Sequence, residues 1–142
     1  MATVSRSYLF LAGGVLLTLI ICTLPIISVS VVPEIRLTVV ARGGNPVAEL
    51  TVEKMWIHHS FESDYHYERV KTNPSGEVVF PSSEITITIP RLLIGKLADK
   101  LGVINPHAAV GPFAALRVEG HDSYAPYYRE NQPPPQVLVI GH

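Results

Sequence analysis

A chain of 142 residues holds one apolar N-terminal run and roughly 110 further residues, room for one small β-sandwich or barrel with its own core. A formal net charge of −1 leaves no basic face, so nucleic acid is not an expected partner. The single cysteine, Cys22, lies inside the apolar run, which excludes an intrachain disulfide and a zinc site built on several cysteines.

No charged residue occurs from Tyr8 to Val32. A helix of about 20 apolar residues spans a hydrocarbon core, so residues 8–32 are expected to engage the lipid bilayer as a transmembrane segment. Gly13, Gly14 and Pro25 are tolerated in such helices. Arg6 precedes the run and votes for a cytoplasmic tail, against Arg36 on the other side. Two readings of residues 1–32 stay open. An uncleaved signal anchor keeps the helix; a signal peptide uses the small-x-small pattern Ser28-Val29-Ser30 and is cut after Ser30. The run exceeds the roughly 7–15 residues of a signal core, which favours the anchor. Ile20-Ile21-Cys22 lacks the small residue that should precede a lipid-bearing cysteine. Either reading exports residues 33–142. The expected location is therefore the cytoplasmic membrane, single-pass, with the C-terminal domain periplasmic or extracellular and a protein partner at the membrane.

Within that body, Ile35-Arg36-Leu37-Thr38-Val39 alternates apolar and polar, the pattern of a half-buried strand. Arg42-Gly43-Gly44-Asn45-Pro46 is a turn by composition. Residues 50–59 carry the next strand, with imperfect alternation that a bulge near Lys54 would explain. The lone tryptophan, Trp56, is expected in the core with a partner for its indole N–H. Thr72-Asn73-Pro74-Ser75-Gly76-Glu77 reads as a tight hairpin corner: Pro74 presets φ and Gly76 accepts the left-handed conformation. Glu84-Ile85-Thr86-Ile87-Thr88-Ile89 alternates cleanly. Residues 91–101 change period: Leu93, Leu97 and Leu101 recur every four, with Ile94 and Ala98 beside them and Lys96, Asp99 and Lys100 opposite. This is an amphipathic helix, read either as a cover over one end of the sandwich or as a membrane-surface or partner helix. Phe113 to Glu119 forms a further strand. Val137-Leu138-Val139-Ile140, apolar on both faces, is expected to be central or covered. The fold class is all-β: a Greek-key, prealbumin-like β-sandwich of six or seven strands with one short inserted helix, preceded by the N-terminal transmembrane helix.

The order of parts resembles the carboxypeptidase regulatory-like domains of bacteria. The resemblance rests on Gly44-Asn45-Pro46-Val47 after the first strand, on Thr72 through Gly76, Val78 and Phe80 at the corner, and on Arg117-Val118-Glu119-Gly120 through Tyr124-Ala125-Pro126. It implies a transthyretin-like sandwich over residues 35–140 and a non-catalytic accessory module, with no catalytic residues to carry over. A hydroxyisourate hydrolase of the transthyretin type ends in tyrosine-arginine-glycine-serine; this sequence ends Val139-Ile140-Gly141-His142.

Three side-chain groups are candidates for function. His58, His59 and His66, beside Glu62, Asp64 and Glu68, would suit zinc or copper if the strand folds back between them. Adjacent histidines on a strand point to opposite faces, so only one of His58 and His59 can join. Trp56 with Tyr65, Tyr67, Tyr124, Tyr127 and Tyr128 offers a carbohydrate- or protein-binding surface. His107 and His121 stand alone in loops. No phosphate-cradling glycine loop, Gly-x-Ser-x-Gly elbow or nucleophilic cysteine outside the apolar run occurs, so a non-enzymatic module is expected. The alternatives are a histidine-based metal protein and a transthyretin-like hydrolase.

Overall fold

The computed structural model describes residues 6–102, 109–121, 128–129 and 133–141. The order of elements is α1 (Arg6–Thr23), β1 (Ile27–Val32), β2 (Ile35–Ala41), β3 (Thr51–His58), β4 (His66–Lys71), β5 (Glu77–Phe80), β6 (Ser83–Ile87), α2 (Ile89–Gly102), β7 (Pro112–Val118), β8 (Tyr128–Arg129) and β9 (Val137–Ile140).

The strands make a four-stranded sheet, β4-β3-β7-β8, a three-stranded sheet, β5-β2-β9, and a two-stranded ribbon, β1-β6. All neighbours are antiparallel except β2 and β9, which run parallel from Thr38↔Val137 to Ala41↔Ile140. One core joins all three. Ile35, Leu37 and Val39 of β2, with Val78, Phe80, Leu138 and Ile140 beside them, meet Val52, Trp56, Ala114, Leu116 and Val118 of the larger sheet. Val31, Val32, Ile85 and Ile87 of the ribbon complete it. This is the all-β sandwich that the alternating strands imply.

Four expectations are corrected. First, the apolar run is divided. It forms α1 only as far as Thr23; after Leu24, Pro25 and Ile26 it becomes β1. Among the described residues no helix is long and apolar enough to cross a membrane. The physical reason is local: Pro25 cannot continue the helix ladder, and Ile27, Val29 and Val31 then alternate with Ser28 and Ser30. β1 pairs with β6 from Ile27↔Ile87 to Ser30↔Glu84, and its register shifts between Ser30 and Val32, so that Val31 and Val32 are both buried.

Second, the corner at Thr72 is no hairpin within one sheet. β4 belongs to the four-stranded sheet and β5 to the three-stranded one, so the chain changes layers there. Asn73 Oδ1 accepts the N–H groups of Ser75 and Glu77, each at 2.9 Å. Gly76 sits at φ +74°, and a Cβ there would run into the Val39 carbonyl and Pro46. Thr72 is buried: its Oγ1 donates to the Val47 carbonyl (2.8 Å) and accepts from the Leu50 N–H (3.0 Å). It thereby sews the Pro46–Leu50 loop onto the layer change.

Third, β3 carries no bulge. Its register with β4 is unbroken from Thr51↔Lys71 to Trp56↔His66, and with β7 from Val52↔Val118 to His58↔Pro112. The alternation looked irregular because Lys54 occupies an inward position between Val52 and Trp56. Fourth, β9 is an edge strand of its sheet and leaves Val137 and Val139 exposed.

Candidate functional site

Lys54 is fully buried, the only lysine or arginine so placed among the described residues. A buried ammonium is costly unless each proton finds an acceptor. Here Nζ donates to the Pro81 carbonyl (3.0 Å) and Ser83 Oγ (2.8 Å), and pairs with Glu68 Oε2 at 3.0 Å. The Phe80 ring centroid lies 5.3 Å away. Glu68 is a hub, since its Oε1 also accepts from Trp56 Nε1 (3.0 Å) and Ser83 Oγ (3.2 Å). The sequence expectation that Trp56 is buried with a partner for its N–H is met by this carboxylate.

His66, opposite Trp56, stacks on the indole with centroids 4.1 Å apart and planes 16° from parallel. Its Nε2 pairs with Glu62 Oε1 at 2.9 Å. His58 lies inside, its ring 4.2 Å from that of Phe61. His59 instead meets Tyr65 (6.1 Å) and Phe113 (5.7 Å), and burial lowers its pKa from the ordinary histidine value. The three histidines thus go to three different environments. Among the described residues no group of three or more His, Cys, Asp or Glu side chains converges to hold a metal ion.

The aromatic surface is divided as well. Trp56 points into the core, whereas Tyr67, opposite Met55, stands exposed on the outer face of the sheet. Tyr65 packs edge-on to Phe113, with centroids 6.5 Å apart. Tyr124, Tyr127, the side chain of Tyr128 and His107 lie outside the described residues.

That outer face is otherwise charged. Arg69 Nε donates to Glu53 Oε2 at 2.7 Å, and this bond raises the Arg69 pKa further above its ordinary value. Thr51, Glu53, Arg69, Arg117 and Glu119 line a hollow of about 80 Å³. Ligand pockets usually enclose about 300–1,000 Å³, so this one suits water or an ion at most.

The chain matches no family model, no curated protein and no solved structure.

The most unusual surface lies on the helices. Phe10, Leu11, Val15, Leu16, Leu17, Leu19, Ile20 and Ile21 are all exposed, and together they ring α1. An open apolar hollow of about 440 Å³ runs along Phe10, Leu11, Gly14, Val15, Thr18 and Leu19. A helix that is apolar all round normally lies within a protein core or a bilayer. α1 touches the rest of the molecule at α2.

On α2 the expected polarity is reversed. Leu93, Ile94, Leu97 and Leu101 are 57–68% exposed. The face against the body is Leu92, Gly95, Ala98, Asp99 and Gly102. Gly95 lies against the Phe61 ring and Gly102 against Val110, while Asp99 Oδ1 accepts from Ser60 Oγ. Periodicity located this helix and its leucine stripe correctly. It could not say which face the sandwich would take, because two glycines let a backbone approach closely without any apolar signal.

Proposed function

We propose that the chain is a non-enzymatic β-sandwich module held at a membrane by its N-terminal helix, serving in binding or assembly outside the cytoplasmic membrane. The carrying observation is α1, uncharged from Tyr8 onward and exposing apolar side chains around its circumference. Its uncharged part, residues 8–23, measures about 24 Å at 1.5 Å per residue, short of a typical core of about 30 Å. Local thinning accommodates such a mismatch at modest cost, and exposed Leu24 and Ile26 prolong the apolar stretch.

The lipid contact assigned here is residues 8–26, because β1 belongs to the sandwich. Arg6 at the start of α1 favours a cytoplasmic tail and an exported body, single-pass, with the sandwich periplasmic or extracellular. The partner at the membrane is a protein. The resemblance to carboxypeptidase regulatory-like domains agrees with an accessory role; the sandwich and the turn at Gly44 support it.

The test is fractionation of the natively expressed full chain. Expected is carbonate-resistant flotation with membranes and a protease-accessible body in spheroplasts. Recovery of the intact chain in the soluble fraction overturns the tether.

A further inference from the structure

We infer that α2 is a membrane-surface helix, its Leu93/Ile94/Leu97/Leu101 stripe seated in the headgroup–acyl boundary of a bilayer containing anionic lipid. This rests on the tether proposed above and deepens it by assigning the body a second lipid contact.

Three observations carry it. The apolar stripe of α2 faces away from the sandwich, so the core does not use it. The charges on the helix are sorted. Its one acid, Asp99, is turned to the body and accepts from Ser60, whereas Arg91, Lys96 and Lys100 are exposed. What α2 offers outward is therefore leucine and isoleucine with cationic side chains and no anion. A helix presenting that combination complements an anionic lipid surface: the apolar residues enter the boundary while lysine stems reach the phosphates. Finally, α2 touches α1, the other exposed apolar element. Only Leu24, Pro25 and Ile26 separate α1 from β1, which keeps the sandwich within reach of whatever bilayer α1 enters.

The stripe also fixes the orientation of the body. With α2 seated, one end of the sandwich lies on the lipid and cannot rotate freely about the short link at Pro25. The module then presents the same outer surface to every partner.

The experiment uses the full chain with Cys22→Ser, reconstituted in vesicles of phosphatidylcholine with one quarter phosphatidylglycerol. A single cysteine is placed at Leu97 (Leu97→Cys) or at Leu16 (Leu16→Cys) and labelled with an environment-sensitive fluorophore. Quenching by lipid-borne nitroxide reports lipid contact; quenching by iodide reports water. Expected is lipid quenching at both positions, with iodide quenching at 97 severalfold below that of the urea-unfolded chain. Lys96→Gln with Lys100→Gln, or pure phosphatidylcholine, returns position 97 toward water and leaves position 16 unchanged. Lipid quenching at 16 with a water-exposed 97 overturns the inference and leaves the tether standing. A label at 97 shielded from both quenchers means that another copy or a protein covers the stripe, which also overturns it. Absence of lipid quenching at both positions overturns the tether and this inference with it.

Discussion

Lys54 and Glu68 stand directly opposite one another on β3 and β4, yet they are not equivalent: the lysine side chain is 0% exposed and the glutamate 32%. Removing the acid leaves a cation with no route to water. Removing the base leaves a carboxylate that solvent can reach. Breaking a buried pair costs about 3–5 kcal/mol when the charge left behind stays dry. Glu68→Ala is therefore expected to lose stability near the lower end of that range, with Trp56 and Ser83 also deprived of their acceptor. Lys54→Met, similar in shape and uncharged, is expected to cost less than half as much. Urea denaturation of the two variants in detergent checks the order; equal losses would mean that the pair acts as a symmetric ion pair.

The Phe61 ring fills the space that a side chain at position 95 would need. Alanine in place of a helical glycine gains about 1 kcal/mol of propensity, whereas overpacking costs about 1–3 kcal/mol. Overpacking is expected to win, because the ring is backed by His58 at 4.2 Å and has little room to swing. Gly95→Ala should destabilise by about 1–2 kcal/mol and loosen α2, read as a lower denaturation midpoint and faster amide exchange over residues 92–102. A gain in stability would show that the ring gives way.

The mature protein is expected to keep β1. A cut after Ser30 would strip four of the six residues of that strand, unpair β6 and uncover Ile85 and Ile87. It would also remove the 2.6 Å bond from Ser28 to Glu84. Intact mass of the natively expressed protein should therefore include Ile27–Val32. An N-terminus at Val31 would show that the sandwich tolerates an open edge beside β6.

Burial lowers the pKa of His59. The sign follows from proton binding: the unfolded chain takes up a proton at higher pH than the folded one. Stability is thus full above the ordinary histidine pKa of 6.5 and declines as the pH falls from there toward the lowered folded value. The melting temperature of the wild type should drop between pH 7.5 and 5.5, and His59→Gln should remove part of the drop. An identical drop in the variant would assign the effect to other groups.

Much of the sandwich was legible from alternation. Ile35, Leu37 and Val39, or Ile85 and Ile87, betray a strand because one face is buried and the other wet. The turns were legible through Gly44 and Gly76, which take positive φ. What misled was context. Residues 27–32 are apolar enough to prolong the preceding run, and only their serine spacing hints at a strand. Lys54 looked like a break in the pattern because a charge is rarely buried; its partners come from β4 and from residues 81 and 83, invisible to local reading. The histidines looked like a cluster because they are near in sequence, yet pleating and the turn after His58 send them apart.

The parallel pairing of β2 with β9 sets a timetable for the polypeptide. β2 is made well before β9, one of its two neighbours, with β3 to β8 and α2 coming between them. The sheet containing β2 cannot close until Val137–Ile140 has left the ribosome, so the body stays unfinished up to that point. An unfinished sandwich is a threadable one: a chain built this way remains competent for passage through a narrow pore until β9 arrives.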